Sequence, residues 1–313
     1  MSSPTIKDHL KHALEYAFTP SAPVFIVGAL IVFLAPLLLH FWITRSTPYT
    51  NLPSILLAGP PGSGKTALLT LLERGDRPAE THTSQIPHAV ELTASTDEGA
   101  STYREAARHD APGSHKKFLL VDTPGHGKLR GTALSQILSN SKNPRPIPTT
   151  TTTTTTSGLL GDPSTLKGII YVLDAATLEE SLADAATYLY DLLLALQRRA
   201  GSGKSSKPPS AIDVLVAANK MDLFTALPAT LVKSNLENEL GKIRLSRSKG
   251  LLDSGVGADD VGSEEQDAWL GEYGSEKFSF AQLREFDVEV EVVGGSVLEG
   301  KVDKWWDWIT KRI

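Results

Sequence analysis

The chain has 313 residues, 41% of them hydrophobic, and a mean hydropathy of −0.11, which suits one large domain with extras or two small domains. Its net charge of −5 and pI near 5.9 lack the basic footprint of a nucleic-acid binder, so no direct DNA binding is expected. The absence of cysteine excludes disulfides and thiolate-bound metals and suits a cytosolic folded part.

Residues 1–23 form a short polar segment. Val24 to Ile43 (VFIVGALIVFLAPLLLHFWI) then runs for 20 positions without a formal charge, and 14 of them are Val, Ile, Leu or Phe. Twenty residues at 1.5 Å rise match a hydrocarbon core of ~30 Å. The 14 apolar residues would favour insertion by at most about 4–8 kcal/mol, reduced by Pro36 and His40. A transmembrane helix over 24–43 is therefore expected. A cleaved signal peptide fits less well, because Ile43-Thr44-Arg45-Ser46 is a poor cleavage site. Residues 44–52 read as a linker and 53–313 as the folded domain. Flanking charge barely decides the topology; the phosphate loop described next should face the cytosol, which leaves residues 1–23 on the non-cytosolic side.

The domain opens with an apolar strand, Ser54 to Ala58, then Gly59-Pro60-Pro61-Gly62-Ser63-Gly64-Lys65-Thr66 and a helix beginning at Ala67. Strand, Gly-rich loop and helix are the context in which G-x-x-x-x-G-K-[ST] binds phosphate. Gly59, Gly62 and Gly64 let the backbone close on phosphate oxygens, and Ser63 to Ala67 offer N–H donors at a helix N-terminus. Lys65 suits the β- and γ-phosphates, and the Thr66 hydroxyl suits Mg²⁺. The threonine that completes the cation's ligands when triphosphate is bound must lie in Thr81-His82-Thr83-Ser84. Thr83 is favoured, although spacing does not separate it from Thr81.

Farther along, Phe118 to Val121 is a buried strand ending at Asp122-Thr123-Pro124-Gly125. Asp122 can hold Mg²⁺ through water, and the Gly125 N–H can meet the γ-phosphate, which makes the following segment a switch. His126 stands where many GTPases carry a water-orienting Gln, so it is the candidate catalytic residue; a His there is equally compatible with slow turnover. Strands at 168–174 and 212–218 follow, the second leading into Asn219-Lys220-Met221-Asp222. Asp222 can accept from guanine N1 and its exocyclic amine, whereas adenine would leave the carboxylate unpaired at a cost of about 1–3 kcal/mol. Asn219 would tie this loop to the phosphate loop, and the Lys220 stem would cover the base. After a last strand at 288–293, Gly294-Gly295-Ser296-Val297 supplies Ser296 and Val297 as base contacts. The ligands expected are thus GTP and Mg²⁺.

Two stretches break the pattern. Residues 140–163 contain eight consecutive threonines, Thr149 to Thr156, and 248–275 is acidic and Gly-rich; both read as disordered insertions. Residues 97–114 read as a surface excursion. The element order β-α-β-β-α-β-α-β-α-β-α predicts an α/β P-loop NTPase of the small GTPase kind: a mostly parallel six-stranded sheet with helices on both faces, preceded by the membrane helix. The closing helix, 301–313, carries Trp305, Trp306 and Trp308 as packing anchors.

Asp122 to Arg130 (DTPGHGKLR), Leu231 to Leu240 with Arg244 and Ser246 to Ser248, and Phe278 to Leu283 together resemble the beta subunit of the eukaryotic signal recognition particle receptor. Its members carry one N-terminal transmembrane helix and a Ras/Arf-like GTPase domain, so the resemblance covers the anchor and nearly the whole domain. Two departures stand out: Pro60-Pro61 in the phosphate loop and the threonine tract. The resemblance implies a GTP-loaded surface that docks the N-terminal domain of the receptor's alpha subunit at the endoplasmic reticulum membrane during cotranslational targeting. A contact with ribosome or translocon is a further expectation, and intrinsic hydrolysis should be slow. An Arf-like trafficking switch or a translational-type GTPase is the alternative reading.

Overall fold

The computed structural model describes residues 52–313 except 77, 96–102, 105–114, 139–165, 202–210, 254–268 and 276, together with eight positions between 25 and 38. It divides into two units, residues 1–50 and 51–313. In the first unit the described positions are helical, and Phe25, Leu30, Val32, Phe33, Leu34 and Leu38 are exposed. Among the described residues no helix is long and apolar enough to cross a membrane. Most of the span expected to do so lies outside them.

The second unit is built on six strands: β1 (Ser54–Ala58), β2 (His88–Ser95), β3 (His115–Asp122), β4 (Leu166–Asp174), β5 (Asp213–Asn219) and β6 (Val290–Gly294). Their order is β2-β3-β1-β4-β5-β6. β2 runs antiparallel to β3, and every other pairing is parallel. The helices are α1 (Lys65–Arg74), α2 (Gly131–Leu138), α3 (Leu178–Gly201), α4 (Ala229–Asp253) and α5 (Asp303–Thr310).

The continuous apolar runs are explained by burial on both faces. Alternate residues of one strand enter different cores. Leu56, Tyr171, Leu173 and Val216 pack with Leu189, Leu193, Leu236 and Leu240 of α3 and α4, whereas Ile55, Leu57, Val172 and Leu215 pack with Leu68 and Leu72 of α1 and with the tryptophans of α5. Trp305, Trp306 and Trp308 are core residues, as expected. The Trp305 indole N–H donates to Val293 O at 3.1 Å, and Gly168 makes room for Trp308, whose ring a Cβ there would meet at 2.7 Å.

Two expectations are corrected. Tyr103, placed in a surface excursion, is buried, and its hydroxyl donates to Gly300 O at 3.0 Å; an aromatic side chain with a backbone partner is worth more inside than outside. The insertion expected over 248–275 is narrower, because α4 runs on to Asp253 and Trp269 and Leu270 are buried. Buried Arg244 of α4 organises that return. Its guanidinium lies 4.6 Å from the Trp269 ring centroid and donates to Leu270 O at 3.2 Å and Ser275 O at 2.6 Å. The Phe280–Phe286 3₁₀ helix starts beside it, with its Phe280 N–H given to Glu237 Oε1 at 2.9 Å. The threonine tract at 149–156 and the core of the second insertion, 254–268, lie outside the described residues.

Candidate functional site

β1, β3, β4 and β5 are parallel, so their carboxyl ends meet at one edge of the sheet, and β1 sits between strands whose connections leave in opposite directions. Ligand crevices form at such a switch point. The phosphate loop leaves β1 there. Gly59 (φ 140°) and Gly64 (φ 96°) take backbone conformations that only glycine adopts easily. Side chains at these two positions would also strike the Val172 carbonyl and the Asn219 amide. Ser63 is buried with its hydroxyl on Pro60 O at 2.9 Å, and the Lys65 amine donates to the same carbonyl at 2.8 Å. The prolines therefore contribute an acceptor that holds Lys65, and the N–H groups they lack are at the loop's first turn. Burial pushes the Lys65 amine down to about 8, against the opposing pull of Asp122.

A cleft of about 230 Å³ opens above the loop, and its lining includes Gly62, Lys65, Thr66, Ala67, Thr81 and Thr83. At its floor Asp122 is fully buried and accepts from the Thr66 hydroxyl at 2.6 Å and the Ser84 hydroxyl at 3.2 Å, both on Oδ2. Its Oδ1 has no hydrogen-bond partner. Burial raises the Asp122 carboxyl, with the Thr66 bond opposing. A buried carboxylate oxygen without a partner, beside two hydroxyls, fits a hydrated divalent cation. Among the described residues no group of three His, Asp or Glu could hold a metal alone. Thr83, the favoured switch threonine, is exposed and lines the cleft with Thr81, and the neighbouring Ser84 hydroxyl reaches Asp122.

The base side is assembled by Asn219. Its amide donates to Ser63 O at 2.8 Å and its side-chain oxygen accepts from Val297 N at 3.0 Å. One buried side chain thus joins the phosphate loop to the loop after β6. Asp222 is half-buried and accepts from the Ser296 hydroxyl at 2.6 Å, while Ser296 Oγ accepts from Glu299 N at 3.2 Å. Lys220 has a left-handed backbone (φ 64°), and its amine is held by Asp174 Oδ2. Burial opposes ionisation of Asp174, but the Lys220 and Ala176 N–H bonds outweigh it and leave the carboxyl below its usual range.

Gly125 is buried against the phosphate loop, where a Cβ would lie 2.6 Å from Gly59 O and 2.7 Å from Lys65 Nζ. His126 is exposed, and its Nδ1 accepts from Lys128 N at 3.4 Å, capping the Gly127–Leu129 3₁₀ helix. Sequence reasoning missed the environment of Arg130, which donates to Gly125 O at 3.3 Å and to both carboxylate oxygens of Asp184 at 3.0 and 2.6 Å.

The family model described as signal recognition particle receptor beta subunit matches residues 50–147 and 156–288. The chain belongs to that family. Among its relatives, the signal recognition particle receptor subunit beta of Saccharomyces cerevisiae is 30% identical over 263 residues, covering 83% of this chain and 84% of the yeast protein. The human subunit is 27% identical over 298 residues, covering 95% and 85%. Two solved structures from Chaetomium thermophilum are similar throughout their length. The receptor beta subunit described as an SRb-GTP/SRX complex is 43% identical, covers 83% of this chain and 100% of its own, and superposes with a TM-score of 0.66. The SRb-GDP-Mg structure is 44% identical, covers 85% and 100%, and gives a TM-score of 0.58.

Proposed function

We propose that this family member is the GTP-binding beta subunit of a signal recognition particle receptor, which holds GTP and Mg²⁺ in order to present a docking surface to the receptor's alpha subunit. The observation that carries the reading is the Asn219 bridge. It ties the phosphate loop, at Ser63, to the loop after β6, at Val297, next to Ser296, the partner of Asp222. Gly62 to Ala67 bind the phosphates, with Lys65 on the β- and γ-oxygens. Thr66 and Ser84 would hold Mg²⁺ and Asp122 would reach it through water; the ion neutralises phosphate charge. Asp222 reads the guanine edge, Ser296 orients that carboxylate, and the Val297 backbone closes the base site. The GTP and GDP-Mg contents of the Chaetomium relatives support these assignments.

The SRX complex of one relative supports docking of the alpha subunit's N-terminal domain, and the switch segments are the surface we assign to it. His126, with Nδ1 occupied by a backbone N–H, suits slow turnover. Val24 to Ile43 anchors the chain as a single-pass helix in the endoplasmic reticulum membrane with the GTPase domain cytosolic. The helical, exposed apolar residues described in that span support this, since such a surface needs an apolar solvent.

Competition against a fluorescent GTP analogue on the full chain in detergent tests the base assignment. GTP should compete at least tenfold better than ATP, a difference of ~1.4 kcal/mol. Asp222→Asn should reverse the preference toward xanthosine triphosphate, whose ring presents an acceptor where guanine has its amine. Equal competition by ATP would refute the base reading.

A further inference from the structure

We propose that Arg130 is a positioning residue for recognition of the terminal phosphate: it clamps the Gly125 turn onto the phosphate loop, and Asp184 of α3 holds the clamp in place. The proposal rests on the guanine-nucleotide reading above and adds to it the device by which the triphosphate state is told from the diphosphate state.

The turn after β3 has a firm start. Thr123 donates both its N–H and its hydroxyl to Leu57 O, at 3.2 and 2.6 Å. Beyond it the chain passes Gly125 and enters the 3₁₀ helix, where Leu129 N returns to His126 O at 2.8 Å. That bond closes the helix on itself and does not tie Gly125 to the domain. Arg130 does, through the 3.3 Å bond from Nε to Gly125 O. The carbonyl it holds belongs to the peptide joining Gly125 to His126, so the bond limits rotation at the glycine, the most permissive residue of the turn.

Arg130 is itself immobilised from three directions. Nε engages Gly125, the two terminal nitrogens fork onto Asp184, and the guanidinium lies 4.7 Å from the Tyr188 ring centroid. Asp184 and Tyr188 lie one turn apart on α3, which is packed on the sheet by buried leucines. Arg130 is only 14% exposed while Asp184 is 60% exposed. An isolated pair with so open a carboxylate would contribute little. A planar guanidinium fixed by a fork, a ring face and a carbonyl transfers the rigidity of α3 to one peptide. The clamped turn holds Gly125 next to the Lys65 amine, the group assigned above to the terminal phosphates. A diphosphate does not reach that place, so the clamp contributes to binding of the triphosphate alone.

The test measures GTP and GDP affinities in parallel on the full chain in detergent. Arg130→Ala and Arg130→Lys should each lower the GTP:GDP affinity ratio about tenfold, the scale of one charge-assisted hydrogen bond, with GDP affinity held within about twofold. Lysine keeps the charge and loses the fork, so its failure to rescue separates geometry from charge. Asp184→Asn, at an exposed position that folding tolerates, should lower the ratio in the same direction by a smaller factor. An unchanged ratio, or equal losses for both nucleotides, would overturn the clamp and leave a plain structural ion pair. Wild-type chain that bound neither nucleotide would overturn the guanine reading itself, and the clamp with it.

Discussion

Asn219→Ala removes the side chain that, among the described residues, hydrogen-bonds both the phosphate loop and the loop after β6. Asn219 is 3% exposed, and its amide and carbonyl satisfy Ser63 O and Val297 N at 2.8 and 3.0 Å. Alanine leaves both backbone groups buried without a partner, and each such group costs about 1–3 kcal/mol. Partial relaxation of the two loops toward water should recover some of that, so a net loss of about 3 kcal/mol is expected. In a domain of this size about 1 kcal/mol moves Tm by roughly 2–4 °C, which places the expected drop at about 6–12 °C. Thermal unfolding of the nucleotide-free chain, followed by circular dichroism in detergent, measures it. The same variant should lose most of the additional stabilisation that saturating GTP gives the wild type, because base and phosphate contacts no longer share a frame. A drop below about 2 °C, with the GTP-induced shift retained, would show that the loops hold their positions without Asn219 and would refute the bridge.

Two further outcomes follow from the phosphate end. Burial lowers the Lys65 amine to about 8 from its ordinary 10.5, so its charge is a cost to the folded state at neutral pH, about 3 kcal/mol by the shift alone. That cost is full below pH 8 and disappears as pH rises from 8 to 10.5. Phosphate needs the charged form, so GTP affinity should fall as pH rises from about 7.5 to 9.5. Titration calorimetry near pH 9 in two buffers should show proton uptake; affinity flat across that range would contradict the assignment. At the cation side, Ser84→Ala should raise the Mg²⁺ concentration needed for half-maximal GTP binding about tenfold, with Thr83→Ala changing it less than threefold, since of these two hydroxyls it is Ser84 that bonds Asp122 (compare one lost polar contact, about 1 kcal/mol or more). The reverse order in a magnesium titration would return the role to Thr83.

Much of this fold is written locally. Strand runs such as Leu166–Asp174 and Asp213–Asn219 are apolar because both sheet faces are covered, and each ends in a polar residue that holds a neighbouring loop, Asp174 through Lys220 and Asn219 through Ser63. The phosphate loop, the Asp122 turn and the Asn219–Asp222 loop are contiguous segments whose spacing already states their chemistry. What escaped were pairings between residues far apart in the chain. Arg130 finds Asp184 across 54 positions, Tyr103 finds Gly300 across 197, and Arg244 finds Leu270 across 26. No local period marks them. Composition misled at 269–275, where Gly271 and Gly274 take left-handed turns and the flanking Trp269 and Leu270 are nevertheless core residues.

The central claim is that the triphosphate, through the Gly125 turn and the switch segments, makes the surface that the receptor's alpha subunit recognises. Full chain in detergent, immobilised and loaded in turn with GTP-Mg²⁺, GDP-Mg²⁺ or no nucleotide, can be presented with the N-terminal domain of the alpha subunit. Retention is expected with GTP and should fall at least tenfold with GDP or without nucleotide, a preference of ~1.4 kcal/mol. Equal retention in all three states would contradict it.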